Sequence, residues 1–344
     1  MALKMLKMKK APGPDKIRNE MIRHLGTTGK QVLLKFINKT WADGQLPKSW
    51  RTATIVPVLK TGKPPSELTS YRPISLTSCI GKLVERMVNS RLYCFLETNK
   101  LLNSTQAGFR KGCRTEDQLF RLVQNCKDGF QKENPRHTTA VFIDLQQAYD
   151  RVWRKDLFIK MHQMGIQGKM FNWIRAFLTN RTISTQYEGA TSSKRTLEEG
   201  LPQGSALSCT LFLIFINDLT KYLKVSTAMF ADDLVIWTTQ RFQWLARIKL
   251  NQALLTIANF CNLWKLRVNS SKTVYTVFST SPTTAKKPLS LRFNGNEVRK
   301  EETPVYLGVT LDRELKMTRF METVKEKATK RLNLLKRLAS TTWG

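Results

Sequence analysis

An α+β fold, with an antiparallel sheet backed by helices, is what this 344-residue sequence predicts. Three observations lead there. Short β-branched runs recur at Arg51–Leu59, Thr138–Leu145, Thr227–Ala231, Leu234–Thr238 and Thr273–Phe278. Longer segments with apolar residues at helical spacing separate them. Two of the strand-like runs are split only by Asp232-Asp233, the length of a tight hairpin turn, so neighbouring strands run antiparallel.

In chain order, helical patterns cover Ile17–Leu25 and Lys30–Trp41, punctuated by Pro12-Gly13-Pro14, Gly26 and Gly29. Arg51–Leu59 (RTATIVPVL) reads as a strand ending at a Gly-Pro-Pro loop, and Ile80–Leu96 as an amphipathic helix. Thr138–Leu145 (TTAVFIDL) is a strand that carries Asp144 to its end, followed by helices at Leu157–Met164 and Met170–Leu178. Thr182–Tyr187 and Ser193–Glu198 pair around Gly189. After the loop Leu201-Pro202-Gln203-Gly204, the stripe Leu207, Leu211, Ile214, Leu219, Tyr222 predicts one helix over Ser205–Lys224, packed under the sheet. The Asp232-Asp233 hairpin, a helix over Phe242–Trp264, the strand Thr273–Phe278, a hairpin at Asn294-Gly295, a strand over Val305–Leu311 and a basic amphipathic helix over Glu314–Ala339 complete the expectation.

Composition narrows the function classes. With 41% apolar and 24% charged residues, the chain has the makings of a packed core rather than of a disordered segment. Its 57 Lys and Arg against 26 Asp and Glu give a net charge of +31, which favours a polyanionic partner, above all a phosphate backbone. The charge is uneven: Leu234–Asn296 holds no acidic residue but nine basic ones. Six scattered cysteines without a C-x-x-C pair and three dispersed histidines argue against zinc. The longest apolar run, Leu211–Ile216, is too short to span a bilayer. No secretory signal pattern is visible, so an intracellular protein, in nucleus and cytoplasm, is expected.

Two adjacent aspartates in a turn have a simple explanation, since Asp favours turns. Here both flanks are apolar at nearly every position, which places the turn between central strands, where paired negative charge is costly unless cations neutralise it. An oxygen-only donor set without His or Cys selects Mg²⁺. If the strand ending in Asp144 lies beside the hairpin, three carboxylates are positioned for two ions roughly 3.5–4 Å apart, the arrangement that promotes in-line phosphoryl displacement.

Six segments in order then bear a likeness to a known family: YRPISL (Tyr71–Leu76), QAGFRKG (Gln106–Gly112), FIDLQQAYDRV (Phe142–Val152), GLPQGSALS (Gly200–Ser208), FADD (Phe230–Asp233) and YLGV (Tyr306–Val309). Together they resemble the ordered motifs of reverse transcriptases, in particular those of LINE-type, jockey-like non-LTR retrotransposons, over about Ala11–Asp312. The resemblance implies a right-hand polymerase fold with fingers (1–130, with an N-terminal helical extension), a palm (131–311, with finger–palm connecting strands at about 180–200) and the start of a truncated thumb (312–344). It implies an RNA-directed DNA polymerase that adds dNTPs to a primer 3′-OH on an RNA template, with two Mg²⁺ ions, or Mn²⁺ in their place, and no membrane partner.

By the same resemblance, Asp144, Asp232 and Asp233 are the catalytic carboxylates, with Leu145 joining them in the metal set. Tyr149 is the aromatic gate that excludes a ribose 2′-OH. Arg72, Gln203, Gly204 and Lys272 contact the nucleotide, and Tyr306, Leu307 and Gly308 form the primer grip. Read without the family, Tyr149 is equally a packing aromatic, Arg72 and Lys272 are equally solvated cations, and Gln203-Gly204 is equally a helix-entry loop. The sequence departs from the pattern at Tyr149, where Phe is frequent, at Cys209, where Pro is common, and at Lys16, where Gly is frequent. An endonuclease domain and a longer thumb, both carried by such elements, are expected to lie outside residues 1–344. The competing functional classes are a catalytically decayed nucleic-acid-binding remnant and an RNA-dependent RNA polymerase or group II intron maturase. Tyr149 as a gate favours DNA synthesis, and the ordered motifs favour the retrotransposon group.

Overall fold

A computed structural model describes residues 2–339. The first elements are the helices α1 (Asn19–Arg23) and α2 (Thr27–Asp43), the strands β1 (Thr52–Leu59) and β2 (Tyr71–Leu76), and the helices α3 (Cys79–Thr98) and α4 (Thr115–Phe130). Next come β3 (His137–Gln146), α5 (Arg154–Gln163), α6 (Gly168–Leu178), β4 (Arg181–Tyr187), β5 (Ala190–Thr191), β6 (Arg195–Leu197) and α7 (Ala206–Ile216). The chain continues through β7 (Ser226–Phe230), β8 (Asp233–Gln240), α8 (Gln243–Leu263), β9 (Arg267–Val268), β10 (Val274–Phe278) and α9 (Pro282–Lys286). It ends with β11 (Arg292–Phe293), β12 (Asn296–Glu297), β13 (Arg299–Lys300), β14 (Val305–Tyr306), β15 (Val309–Thr310) and α10 (Thr318–Leu338). Part of the expected thumb segment, 340–344, falls outside the described residues.

These elements form two compact units interleaved along the sequence. One comprises Met1–Asn103, Gln147–Asp218 and Trp264–Leu266; the other comprises Ser104–Gln146, Leu219–Leu263 and Arg267–Gly344. The first unit carries a five-stranded sheet, β2-β1-β4-β5 with β6 also on β4. β1 and β2 pair antiparallel from Thr54↔Leu76 to Leu59↔Tyr71, whereas β1 and β4 run parallel. Helix α3 starts at a Ser78 cap whose side chain accepts from the Gly81 N–H, which satisfies one of the orphan donors of the first turn.

Helix α7 differs from expectation in length and surface. It stops at Ile216 instead of Lys224, and nine of its eleven residues are buried, so it is apolar all round rather than striped. Within its unit it packs on α3 and α5. Tertiary contacts accompany the early stop. The Lys160 ammonium donates to the Phe215 carbonyl at 2.5 Å, and the Asn217 side chain turns to the 101–103 segment, donating to the Leu101 carbonyl and accepting from the Asn103 N–H.

The second unit is built on a six-stranded sheet, β13-β10-β3-β8-β7, with β9 extending the pairing of β3. All of its pairings are antiparallel except β10 with β13. β3 and β8 are buried on consecutive residues, hence on both faces, where helices on one face were expected from sequence. Helix α4, which the sequence reading did not single out, lies against β3, β7 and β8; its Leu122, Val123 and Cys126 pack with Ala140, Phe142, Val235 and Trp237. The expected strand Val305–Leu311 is instead a tight hairpin. Leu307 and Gly308, both left-handed at φ 48° and 83°, reverse the chain between β14 and β15, as a two-residue primed turn requires.

Candidate active site

Register brings the carboxylates of the second unit together. β3 and β8 pair so that Asp144 stands directly opposite Asp233, and β7 pairs with β8 up to Phe230↔Asp233, so the two-residue turn is Ala231-Asp232 rather than the expected Asp232-Asp233, and Asp233 is the first residue of β8. Directly opposed side chains lie about 4.5–5.5 Å apart at Cβ, and like charges there repel. Strand alternation puts Asp144 on the face of Ala140 and Phe142, and Asp233 on the face of Val235 and Trp237.

The electrostatics follow from this crowding. Asp233 is pushed up to about 6, first by desolvation beside the apolar strands and then by the charges of Asp232 and Asp144, with Lys272 opposing. Asp232 is raised for the same leading reason, with Asp144 adding repulsion. The Lys272 ammonium sits 3.4 Å from Asp144 Oδ2, so this carboxylate already has one cation. The Asp144 carbonyl accepts from the Asn269 N–H at 2.8 Å, which ties the strand end to the loop that carries Lys272.

Among the described residues no three His, Cys, Asp or Glu side chains are already arranged as a metal site. The donor chemistry nevertheless fits a hard cation, with adjacent, under-neutralised carboxylates and no nitrogen or sulfur ligand from His or Cys. Leu145 is buried and its aliphatic side chain has no donor atom, so its backbone carbonyl is the group it could offer for ligation. Tyr306, expected in the primer grip, has a buried ring against Phe142 at 5.4 Å, while Gly308 at the hairpin tip is exposed.

The other expected contacts gather in the first unit. Tyr149 and Asp150 follow β3 in a turn that is zipped to the Gly200–Gly204 loop: the Leu201 N–H donates to the Tyr149 carbonyl at 2.8 Å and the Gly200 N–H to the Val152 carbonyl at 2.9 Å. Gly200 is required at this approach. A Cβ there would stand 2.7 Å from the Asp150 carbonyl oxygen, and the residue is left-handed at φ 79°. The Gln203 amide nitrogen donates to both Asp150 carboxylate oxygens at 2.9 Å. The Ser75 N–H donates to the Gln203 carbonyl at 3.3 Å, so the strand that bears the exposed Arg72 abuts the same loop.

Tyr149 stacks on Phe212 of α7, with ring centroids 4.8 Å apart and planes 18° apart. Thus Asp144, Asp232, Asp233, Lys272 and Tyr306–Gly308 belong to one unit, and Arg72, Tyr149, Gln203 and Gly204 to the other.

Sequence reasoning missed the residues that hold this loop. Buried Arg154 donates to the carbonyls of Leu197, Glu199 and Gly200 at 2.6–2.9 Å, and buried Glu85 accepts from the Ser205 hydroxyl at the N-cap of α7. A helix position yields no sign that its carboxylate reaches a loop 120 residues away. Asp150, adjacent to Tyr149, was the one legible hint.

The family model for reverse transcriptase (RNA-dependent DNA polymerase) matches residues 58–311. The chain belongs to the reverse transcriptase family. Among curated relatives, this family member is 32% identical over 329 residues to the RNA-directed DNA polymerase from mobile element jockey of Drosophila melanogaster, with 93% of this chain and 35% of that protein covered. It is 33% identical over 325 residues to the probable RNA-directed DNA polymerase from transposon BS of the same species, again covering 35% of the relative. The reverse transcriptase chain therefore spans about a third of the length of these relatives. Among solved structures it resembles telomerase from Candida Tropicalis, determined in complex with a fragment of telomeric RNA, with a TM-score of 0.54 at 13% identity over 84% of this chain and 48% of that one. That likeness establishes a shared fold. Among the described residues no helix is long and apolar enough to cross a membrane.

Proposed function

We propose that this chain is the polymerase region of a jockey-like non-LTR retrotransposon enzyme, an RNA-directed DNA polymerase that adds dNTPs to a primer 3′-OH on an RNA template. The observation that carries the reading is the register of β3 against β8, which sets Asp144 opposite Asp233 and next to Asp232 in a chain of the reverse transcriptase family. Two divalent ions, Mg²⁺ or Mn²⁺, supply activation of the primer hydroxyl and neutralisation of the triphosphate when bound. Asp144, Asp232, Asp233 and the Leu145 carbonyl are the groups to hold them.

The remaining roles follow from charge, shape and exposure. Arg72 and Lys272 offer fixed positive charge for phosphate oxygens, and Lys272 already rests on a carboxylate that a metal would take over. Gln203 and Gly204, with Gly204 exposed at the loop crest, offer a polar, low-profile surface for the nucleotide. Tyr149, stacked on Phe212, presents a fixed aromatic plane as the sugar gate. The β14–β15 hairpin, with buried Tyr306, half-buried Leu307 and exposed Gly308, serves as the primer grip.

Fingers, palm and thumb are proposed at 1–130, 131–311 and 312–344, with connecting strands at about 180–200. The compact units cut across these boundaries, because 147–218 joins 1–103. The net charge of +31 supports an RNA template and DNA primer as partners.

The test is extension of a primed RNA template by the purified chain with dNTPs, with and without Mg²⁺. Asp232→Asn, which preserves shape and removes one ligand charge, is expected to abolish extension while leaving the fold and primer-template binding in place. Parental extension by that variant would refute the ligand assignment.

A further inference from the structure

The hairpin that carries Asp232 and Asp233 rests on an unfavourable backbone conformation. Its two-residue turn is Ala231-Asp232, and Ala231 is left-handed at φ 57°, where a primed turn ordinarily takes glycine. A non-glycine residue in that region costs roughly 1 kcal/mol or more and persists only where its surroundings over-determine it.

One side chain supplies that constraint. Gln106 is 4% exposed, and its amide pairs with both backbone groups of Ala231: Nε2 donates to the Ala231 carbonyl at 3.1 Å, and Oε1 accepts from the Ala231 N–H at 2.9 Å. The same Oε1 accepts from the Gly108 N–H at 2.8 Å. Gln106 is itself fixed. It bridges to Met229 of β7 in parallel fashion, the Ala107 N–H donates to the Met229 carbonyl, and the Met229 N–H donates to the Thr105 carbonyl, each at 2.9 Å. Gly108 lets the segment approach: a Cβ there would fall 2.0 Å from the Ala231 nitrogen, a distance no side chain tolerates.

The backbone of the turn and the amide of Gln106 therefore form one closed hydrogen-bonded unit, in which a buried side chain stands in for a neighbouring strand. All of these groups, and Asp144, lie in the same compact unit.

We propose that Gln106 is a positioning residue that holds Ala231 left-handed and thereby sets the direction of the Asp232 and Asp233 carboxylates. It touches no reacting atom and acts through the turn. The inference rests on the reading of Asp232 and Asp233 as metal ligands. Outer partners that orient ligands typically contribute about 10- to 100-fold to metal affinity or activity, and Gln106 is expected to fall in that range.

The experiment is Mn²⁺ titration of the purified chain followed by EPR of the free ion, alongside thermal melting and primer extension. Gln106→Ala is expected to weaken Mn²⁺ binding about 10- to 100-fold and to slow extension. Gln118→Ala, at a buried glutamine of the same unit on α4, is expected to lower the melting temperature and leave Mn²⁺ affinity unchanged. Adding Ala231→Gly to Gln106→Ala should recover affinity, because glycine needs no external hold at that φ.

Parental Mn²⁺ affinity in Gln106→Ala, or a loss that Gln118→Ala matches, overturns the proposal, as does a double variant no better than Gln106→Ala. Where Gln106→Ala does not fold, Gln106→Glu keeps the acceptor and removes the donor to Ala231, and parental affinity there overturns it equally. Asp232→Asn separates the two layers. Unchanged Mn²⁺ affinity in Asp232→Asn removes the ligand reading itself, whereas a loss there with none in Gln106→Ala removes only the role of Gln106.

Discussion

Neutralising Asp233 should stabilise the metal-free chain and do so only at neutral and alkaline pH. Folding raises this carboxyl from its ordinary 3.8 to about 6, through desolvation first and the neighbouring Asp232 and Asp144 charges next. A raised carboxyl means that the folded state disfavours the ionised form. The penalty is therefore absent below about 3.8, grows between 3.8 and 6, and is fully present above about 6.

A rise from 3.8 to about 6 is worth about 3 kcal/mol at most. Although its carboxyl is partly desolvated against the apolar strands, Asp233 as a whole keeps an exposed surface, and screening reduces the realised penalty to about 1 kcal/mol. Asp233→Asn keeps the side-chain shape and removes the charge. In EDTA at pH 7.5 and low salt its melting temperature is expected to exceed the parent's by about one to three degrees, a gain that fades toward pH 4. Saturating Mn²⁺ should reverse the order, because the ion stabilises only the chain that binds it well. A variant no more stable than the parent in EDTA at pH 7.5, or equally stabilised at pH 4, would refute the account of repulsion between the aspartates.

Three further outcomes are expected. Tyr149→Ala should raise rNTP incorporation relative to dNTP in single-nucleotide addition, since it removes the plane stacked on Phe212; an unchanged ratio with measurable dNTP addition makes Tyr149 a packing residue. Primer-template affinity, measured by fluorescence anisotropy, should fall steeply as salt rises and vary little with base sequence, and a salt-independent dissociation constant contradicts the phosphate-contact argument from the +31 charge. Glu85 is wholly buried, held up in pKa first by that burial, and bonded by Ser205 with Arg181 nearby. Both variants remove the charge beside Arg181, but Glu85→Gln retains an acceptor for Ser205 and should cost about 1 kcal/mol, whereas Glu85→Ala also leaves the Ser205 hydroxyl unpaired beside a cavity and should cost about 3 kcal/mol in denaturant unfolding; equal losses would show that the hydrogen bond contributes nothing.

Much of the site was legible because local chemistry fixed it. The β-branched runs bounding Asp232-Asp233 form the β7–β8 hairpin, and TTAVFIDL forms β3 with Asp144 near its end. Alternation and turn length depend on neighbouring residues alone, so the sequence by itself determined these strands, the adjacent aspartates and the basic character of the surface. The helix beginning at Ser205 was legible only in part, since its end depends on Lys160 and Asn217 reaching the 215–217 backbone and the 101–103 segment.

Tertiary structure decided what distance along the chain conceals. The pairing of β3 with β8 sets Asp144 opposite Asp233, 89 positions further along the chain. The approach of Gly108 to Ala231 and the reach of Gln106 to the same turn join segments about 125 residues apart, through contacts that favour no local pattern. The same holds for Gln203 on Asp150 and Ser205 on Glu85. A side-chain amide or carboxylate has no periodicity of its own; its partner is chosen when packing brings an unsatisfied backbone or hydroxyl group within reach, and sequence adjacency carries no record of that choice.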